Sequence, residues 1–262
     1  MNSYFTKSSS LGALLLAFSA VALTCLAPSI RAQPFDNPLE DSPTAEFHFA
    51  RLTYSADPYS RFGRRPGWRA DYPDAEYHLT KGIARMTNIE AEPVDYSGRG
   101  GRLIDLTNDQ VFDYPWLYVV EPGQWFLSTE EVEKLREYLD RGGFLMADDF
   151  WGENEWLVFE RSMKQVFPDR PIVELKESDP VMHVLFDLDK STQIPGIRGI
   201  PPGSVPHWRG IFDDAGRLIV AINFNMDMGD AWEHADNPAY PTEMTAMAYR
   251  FAINYIIYSM TH

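Results

Sequence analysis

The chain has 262 residues, with 23 Lys and Arg against 38 Asp and Glu, a formal net charge of −15. That field disfavours nucleic acid and anionic lipid surfaces as partners. The one cysteine, Cys25, lies in an N-terminal apolar run, so a chain cut beyond it has no disulfide, thiolate metal site or cysteine nucleophile.

Residues 1–32 read as a secretory signal peptide: Lys7 supplies the positive end, Leu11–Leu26 is nearly all apolar, and Ala32 precedes a cut at Gln33. The run is short of the ~20 residues that span a bilayer, yet a retained anchor and lipidation at Cys25 stand as alternatives. Cleavage implies an exported protein, periplasmic or secreted, with no stable membrane insertion afterwards. Removing Lys7 and Arg31 leaves 21 basic against 38 acidic residues, or −17. The remaining length suits one large α/β domain over 46–262, behind an extended leader at 33–45.

Phe47, Phe49, Leu52 and Tyr54 mark a first strand within Glu46–Ser55. A loop to Pro73 follows, carrying Arg61, Arg64, Arg65 and Arg69 with Trp68. Arg64, Arg65 and Trp68 are candidate contacts for a carboxylate, phosphate or sugar. Salt bridging to the acidic body is the plainer reading, and as surface pairs these would contribute roughly 0–1 kcal/mol each. A helix capped by Asp74 then runs to Met86. Strands are expected at Ile104–Leu106 and Pro115–Val120, the second ending at Glu121.

Ser128 and Glu131 form a capping box. Val132, Leu135 and Leu139 give its helix an apolar stripe, stopped by Gly142-Gly143. Phe144–Ala147 is a short buried strand that runs into Asp148 and Asp149. Next come a helix over Glu153–Phe167, a strand at Ile172–Leu175 and a proline-rich stretch over Asp179–Ile211. A hairpin over Phe212–Asn223 turns at Asp214-Ala215-Gly216, and Thr242–Met260 is a terminal helix. This alternation predicts a doubly wound, mostly parallel α/β sheet flanked on both faces.

In such sheets ligands sit beyond the carboxyl ends of the strands. Asp148 and Asp149 are therefore candidate catalytic or metal-binding acids. Because strand side chains alternate, one should face the crevice and the other brace the turn or cap a helix. Glu121 opens onto the same edge, and with Asp148 and Asp149 makes a candidate oxygen site for Ca²⁺, Mg²⁺ or Mn²⁺. The run Asn223–Asp236 adds Asp227 and Asp230 as metal candidates and His234 as a catalytic one. His207 is a second candidate histidine, and Trp151 and Trp232 are candidate ligand contacts. Each acid has a plainer reading as a cap or turn, and each histidine as a solvated loop residue. No phosphate-cradling Gly loop, Gly-x-Ser-x-Gly elbow or His-Glu-x-x-His occurs, which argues against nucleotide hydrolysis, serine esterase and zincin chemistry.

Leu-x-x-Tyr-Leu, Gly142-Gly143, a strand and a sharp turn resemble the class I glutamine amidotransferase-like fold, whose catalytic cysteine stands on that turn. Here the position falls at or beside Asp149, and an aspartate cannot replace a thiolate in amide hydrolysis. Asp71-Tyr72-Pro73, Tyr114-Pro115, Leu135–Asp149, Phe167-Pro168 and Asp179-Pro180-Val181 resemble an uncharacterised family of exported bacterial domains with this fold. The resemblance implies the fold and no established reaction. The functional expectation is a ligand- or partner-binding module, with a carbohydrate or an envelope protein as the partner class. The alternative is a metal-assisted or carboxylate-based hydrolase acting on a carbohydrate or envelope polymer.

Overall fold

The computed structural model describes residues 45–56 and 67–262. The expected signal peptide, nearly all of the leader, and Arg64 and Arg65 lie outside the described residues.

In chain order the elements are β1 (Ala50–Thr53), β2 (Ser55–Ala56), α1 (Asp74–Met86), β3 (Arg102–Asp105), β4 (Trp116–Val120), β5 (Trp125–Phe126) and α2 (Thr129–Asp140). After these come β6 (Phe144–Phe150), α3 (Gly152–Val166), β7 (Val173–Glu174), β8 (His207–Phe212), β9 (Leu218–Phe224), α4 (Met228–Glu233) and α5 (Thr242–Thr261). The main sheet has seven strands in the order β3-β1-β4-β6-β9-β8-β7. The first five are parallel; β8 runs antiparallel to β9 and β7 antiparallel to β8. This is the doubly wound α/β sheet that the strand–helix alternation predicts.

Alternation along each strand divides the core. Trp116, Tyr118 and Val120 of β4, with Phe144 and Met146 of β6, face the layer built from α1, α4 and α5. Leu117, Val119, Leu145 and Ala147 face α2 and α3. Strands buried on both faces read as continuous apolar runs, which is why β4 and β6 are legible without a period-two pattern.

Local chemistry sets the ends of the elements. The capping box on α2 forms: Ser128 Oγ accepts from the Glu131 amide at 3.3 Å, and Glu131 Oε2 accepts from the Ser128 amide at 2.7 Å. Gly142 follows α2 with φ of +108°, a conformation that costs other residues a Cβ clash. Gly143 is needed for space, since a β-carbon there would stand 2.3 Å from the Tyr138 ring.

Several elements differ from expectation. Pro73, not Asp74, precedes α1, and no side chain caps that helix. The hairpin starts five residues early, at His207, because the β8 ladder with β9 continues past the turn-proximal segment. β6 extends through both acids to Phe150, with a bulge between Ala147 and Phe150. The six-residue α4 is too short to show a hydrophobic period.

Candidate functional site

The chain leaves β1 for β3 on one side and later returns to β4 on the other, so the direction of winding switches between β1 and β4. A crevice is expected outside the carboxyl ends at such a point. A cavity of about 610 Å³ lies there. Its acids come from segments that follow four adjacent parallel strands. Asp71 stands in the connection from β1 to α1, Glu121 just beyond β4, Asp149 near the end of β6, and Asp227 between β9 and α4.

One group is Asp71, Asp149 and Asp227. One carboxylate oxygen from each lies within 4.8 Å of the other two. Asp71 Oδ2 is closed to solvent and has no hydrogen-bond partner. Asp149 Oδ1 accepts from Trp151 Nε1 at 2.7 Å, and Asp227 Oδ1 accepts from the Asp230 amide at 2.7 Å, capping α4. Burial, with Asp149 and Asp230 nearby, pushes the Asp71 carboxyl well above the usual carboxylate range, although Arg51 opposes this. Burial raises Asp149 in the same way, with Glu121 as the next cause, and Asp227, with Asp149 as the next. Three acids that resist ionisation together will hold protons or a cation.

Glu121 forms the rim. Gln124 Nε2 donates to its Oε2 at 2.9 Å, and burial followed by repulsion from Glu155 moves its pKa up to about 7. A β-carbon on Gly67 would stand 2.1 Å from Glu121 Oε2, so the segment before α1 closes directly on this carboxyl.

Asp148 and Asp149 divide their labour as strand alternation predicts. Asp148 is fully buried on the α4 side of the sheet, where its Oδ2 accepts from the Met228 amide at 2.8 Å, the Gly229 amide at 3.1 Å and Tyr118 Oη at 3.1 Å. It caps α4, not the helix that follows it in sequence. Burial lifts its pKa to about 7 against the pull of those bonds. Asp149 faces the cavity.

The backbone bears the mark of this arrangement. Among the described residues, four non-glycine positions have left-handed φ: Asp71 (62°), Glu121 (49°), Asp149 (53°) and Asn225 (60°). Three are acids of the cavity, and the fourth lies two residues before Asp227. Such conformations cost of order 1–3 kcal/mol each and gather at functional sites. Asp71 is set by a buried ion pair. Arg51, joined to Glu76, donates to the carbonyls of Trp68 at 3.0 Å and Ala70 at 2.9 Å, which fixes the backbone leading into it.

Glu121, Asp149, Trp151, Asp227, Asp230 and His234, all anticipated, line this one cavity. Asp148, buried behind it, does not, and neither do three further expected residues. His207 stands on β8 opposite Phe224 of β9 and pairs with Glu174 of β7 at 2.8 Å, because its ring leaves a strand and not a loop. Trp232 is completely buried, 5.4 Å from the Tyr118 ring and 6.5 Å from Phe49, and offers no surface to a ligand. Trp68 is half-buried beneath the Arg69 guanidinium, 4.7 Å away, outside the cavity lining. Asp71 and Glu155 carried no site expectation: Asp71 is a lone acid in a loop with no spacing to read, and Glu155 lies in the first turn of α3, where acids are ordinary. A further hollow of about 750 Å³ lies between α3 and β7. Its arginines are already paired, Arg170 with Asp140 at 2.8 Å and Arg209 with Glu174 at 2.7 Å.

A family model described as a domain of unknown function, DUF4159, matches residues 48–260. The chain belongs to the DUF4159 family. The match spans every strand of the sheet and all four segments that bring acids to the cavity, so the crevice is part of the DUF4159 domain and not an addition to it. No curated protein matches the chain. Among the described residues no helix is long and apolar enough to cross a membrane.

Proposed function

We propose that this DUF4159 chain is an exported ligand-binding module, periplasmic or secreted, whose crevice is organised by a divalent cation held on Asp71, Asp149 and Asp227. The observation that carries the reading is the gathering of three carboxylate oxygens within 4.8 Å. Two oxygens on one Ca²⁺, each at 2.3–2.6 Å, stand up to about 5 Å apart, so the spacing of the three is of the size that one ion spans. All-oxygen donors select Ca²⁺, Mg²⁺ or Mn²⁺ over softer ions. The unpartnered Asp71 Oδ2 supports the reading, because a buried carboxylate oxygen without a donor carries a desolvation cost that another charge nearby would offset.

On this reading the sheet is a glutamine amidotransferase-like one with Asp149 near the turn where such enzymes carry cysteine, and no thiolate chemistry is assigned to it. Trp151 beside the cation centre suits a hydroxyl-rich ligand such as a carbohydrate, with one ring face for stacking and ion-bound oxygens for its hydroxyls. The test is thermal unfolding of the chain with Ca²⁺, Mg²⁺ and Mn²⁺ in turn. A saturable rise is expected, about 2.7 kcal/mol at a concentration one hundred times Kd, and lost in Asp149→Asn. No rise with any of the three ions rejects the reading.

One observation favours hydrolysis as a second reading. Glu121, held near pKa 7 at the cavity rim, is poised as a general base at neutral pH. Water giving its proton to Glu121 would add to a glycan or other envelope polymer as the scissile bond breaks and the leaving oxygen takes a proton from solvent, and an ion on the three aspartates would supply Lewis-acid stabilisation. Release of reducing ends from envelope glycans, rising through about pH 7 and abolished by Glu121→Gln, is the expected outcome; turnover unaffected by Glu121→Gln removes this reading.

A further inference from the structure

A second group of ligand atoms shares the cavity. Asp230, Glu233 and His234 each offer one atom, and these lie within 4.8 Å of one another. Their spacing of i, i+3 and i+4 puts them on one side of α4 at its C-terminal end, with His234 as the capping residue. His234 Nε2 stands 3.6 Å from Asp230 Oδ1 and 3.6 Å from Glu233 Oε2. Both distances exceed a hydrogen bond. They match the edge of a tetrahedron with metal–ligand bonds of 2.0–2.2 Å, about 3.3–3.6 Å. Asp230 is steadied from its other oxygen, since the Ile197 amide donates to Oδ2 at 2.6 Å and leaves Oδ1 to face the imidazole.

The two groups meet at Gly196. A β-carbon there would lie 2.8 Å from Asp227 Oδ2 and 3.1 Å from Asp230 Oδ2, so one carboxylate of each group presses on the same bare stretch of backbone. Asp227 and Asp230 are also joined through the α4 cap. Nearby, Asp71 Oδ2 is a buried oxygen that no donor reaches.

We infer that the crevice is a two-cation centre, with a second divalent ion, Zn²⁺ or Mn²⁺, held by Asp230, Glu233 and His234 beside the ion on the three aspartates. The inference rests on the reading of the first position and adds a nitrogen-containing one with different metal preference. An imidazole with two carboxylates suits Zn²⁺ or Mn²⁺, whereas the all-oxygen group suits hard ions. Three protein ligands leave an open coordination position toward the cavity, as in a site that takes water or a ligand oxygen. The ligand class is therefore one that offers two oxygens to a pair of cations, a carboxylate, a phosphoester or a vicinal diol.

The experiment is metal stoichiometry on the full chain by equilibrium dialysis against Mn²⁺ and Zn²⁺. Co²⁺ serves as a visible-absorption probe of the nitrogen-containing position. Wild type, His234→Ala, Glu233→Gln and Asp149→Asn are compared, with circular dichroism as the folding control. Two equivalents per wild-type chain are expected. His234→Ala and Glu233→Gln should fall to one equivalent with native dichroism and lose the low-coordinate Co²⁺ absorption, while Asp149→Asn keeps that absorption. One equivalent in wild type that persists in His234→Ala and Glu233→Gln overturns the second position and leaves the first standing. No bound metal in any form overturns both.

Discussion

Asp71 Oδ2 lies 2.0 Å from the place a β-carbon on Gly229 would occupy. The first loop after β1 and the first turn of α4, far apart in sequence, are thus fitted together by a missing side chain. Alanine is intrinsically favoured over glycine in a helix by about 1 kcal/mol. Here the clash with Asp71 should outweigh that gain. Gly229→Ala is expected to destabilise the chain by about 1–3 kcal/mol, the usual cost of overpacking, and to abolish cation-induced stabilisation. Urea unfolding with and without Ca²⁺ measures both; unchanged stability with an intact ion response would show that Asp71 need not sit against Gly229.

The neighbouring acids of β6 should respond oppositely to truncation. Asp148→Ala leaves the Met228 and Gly229 amides and Tyr118 Oη without their acceptor, and a loss of about 2 kcal/mol or more is expected from unpaired buried groups. Asp149→Ala removes a repelling charge from the Asp71–Asp227 pair. It should leave the ion-free chain as stable or more stable, by about 0.5–2 kcal/mol, while removing the ion response. Equal destabilisation by both substitutions in denaturant melts would contradict this division.

The crevice acids should give the ion-free chain an unusual pH profile. Glu121 goes from an ordinary 4.5 to about 7 on folding, and Asp148 from 3.8 to about 7. Folding then takes up protons between the unfolded and folded values, and stability falls as pH rises through that window. The Tm of the ion-free chain should therefore be highest near pH 5 and decline toward pH 7.5. Saturating Ca²⁺, which binds the deprotonated acids, should flatten the decline, and Glu121→Gln should reduce its slope. A Tm that climbs steadily from pH 5 to 7.5 without ions would refute the premise.

The Arg51–Glu76 pair is fully buried, with Arg51 held over the Tyr118 ring at 5.1 Å. Glu76→Ala should cost about 3–5 kcal/mol, because it strands a buried guanidinium. Arg51→Lys keeps the charge but loses the fork that grips the Trp68 and Ala70 carbonyls. Its expected signature is a weakened ion response larger than the change in Tm alone would explain. An Arg51→Lys chain with wild-type ion affinity would show that Asp71 is placed without that grip.

Much of the fold is written in local pattern. The capping box at Ser128, the glycine pair after α2 and the apolar runs of β4 and β6 are short-range signals, each with one physical cause. The edge of the sheet where chemistry gathers follows from the parallel winding, and Glu121, Asp149 and Asp227 are visible because they stand at or just beyond the ends of buried strands. α4 escapes detection because six residues complete fewer than two turns, too few for a period. Trp232 and His207 mislead because composition marks aromatic and imidazole side chains as ligand contacts without saying which way they point.

The sequence by itself determined most of the strands and helices, the mostly parallel winding and the end of the sheet where acids collect, because propensity, capping and burial act over a few residues. Only the tertiary structure decided which acids meet. Asp71 joins Asp149 and Asp227 through an ion pair between Arg51 and Glu76 and a space left by Gly229, contacts between segments distant in the chain. Whether Asp148 capped a helix and Asp149 faced the cavity, or the reverse, likewise depended on the packing of α4 against the sheet. Proximity between remote segments is a property of packing, and it turns scattered carboxylates into a single charged centre.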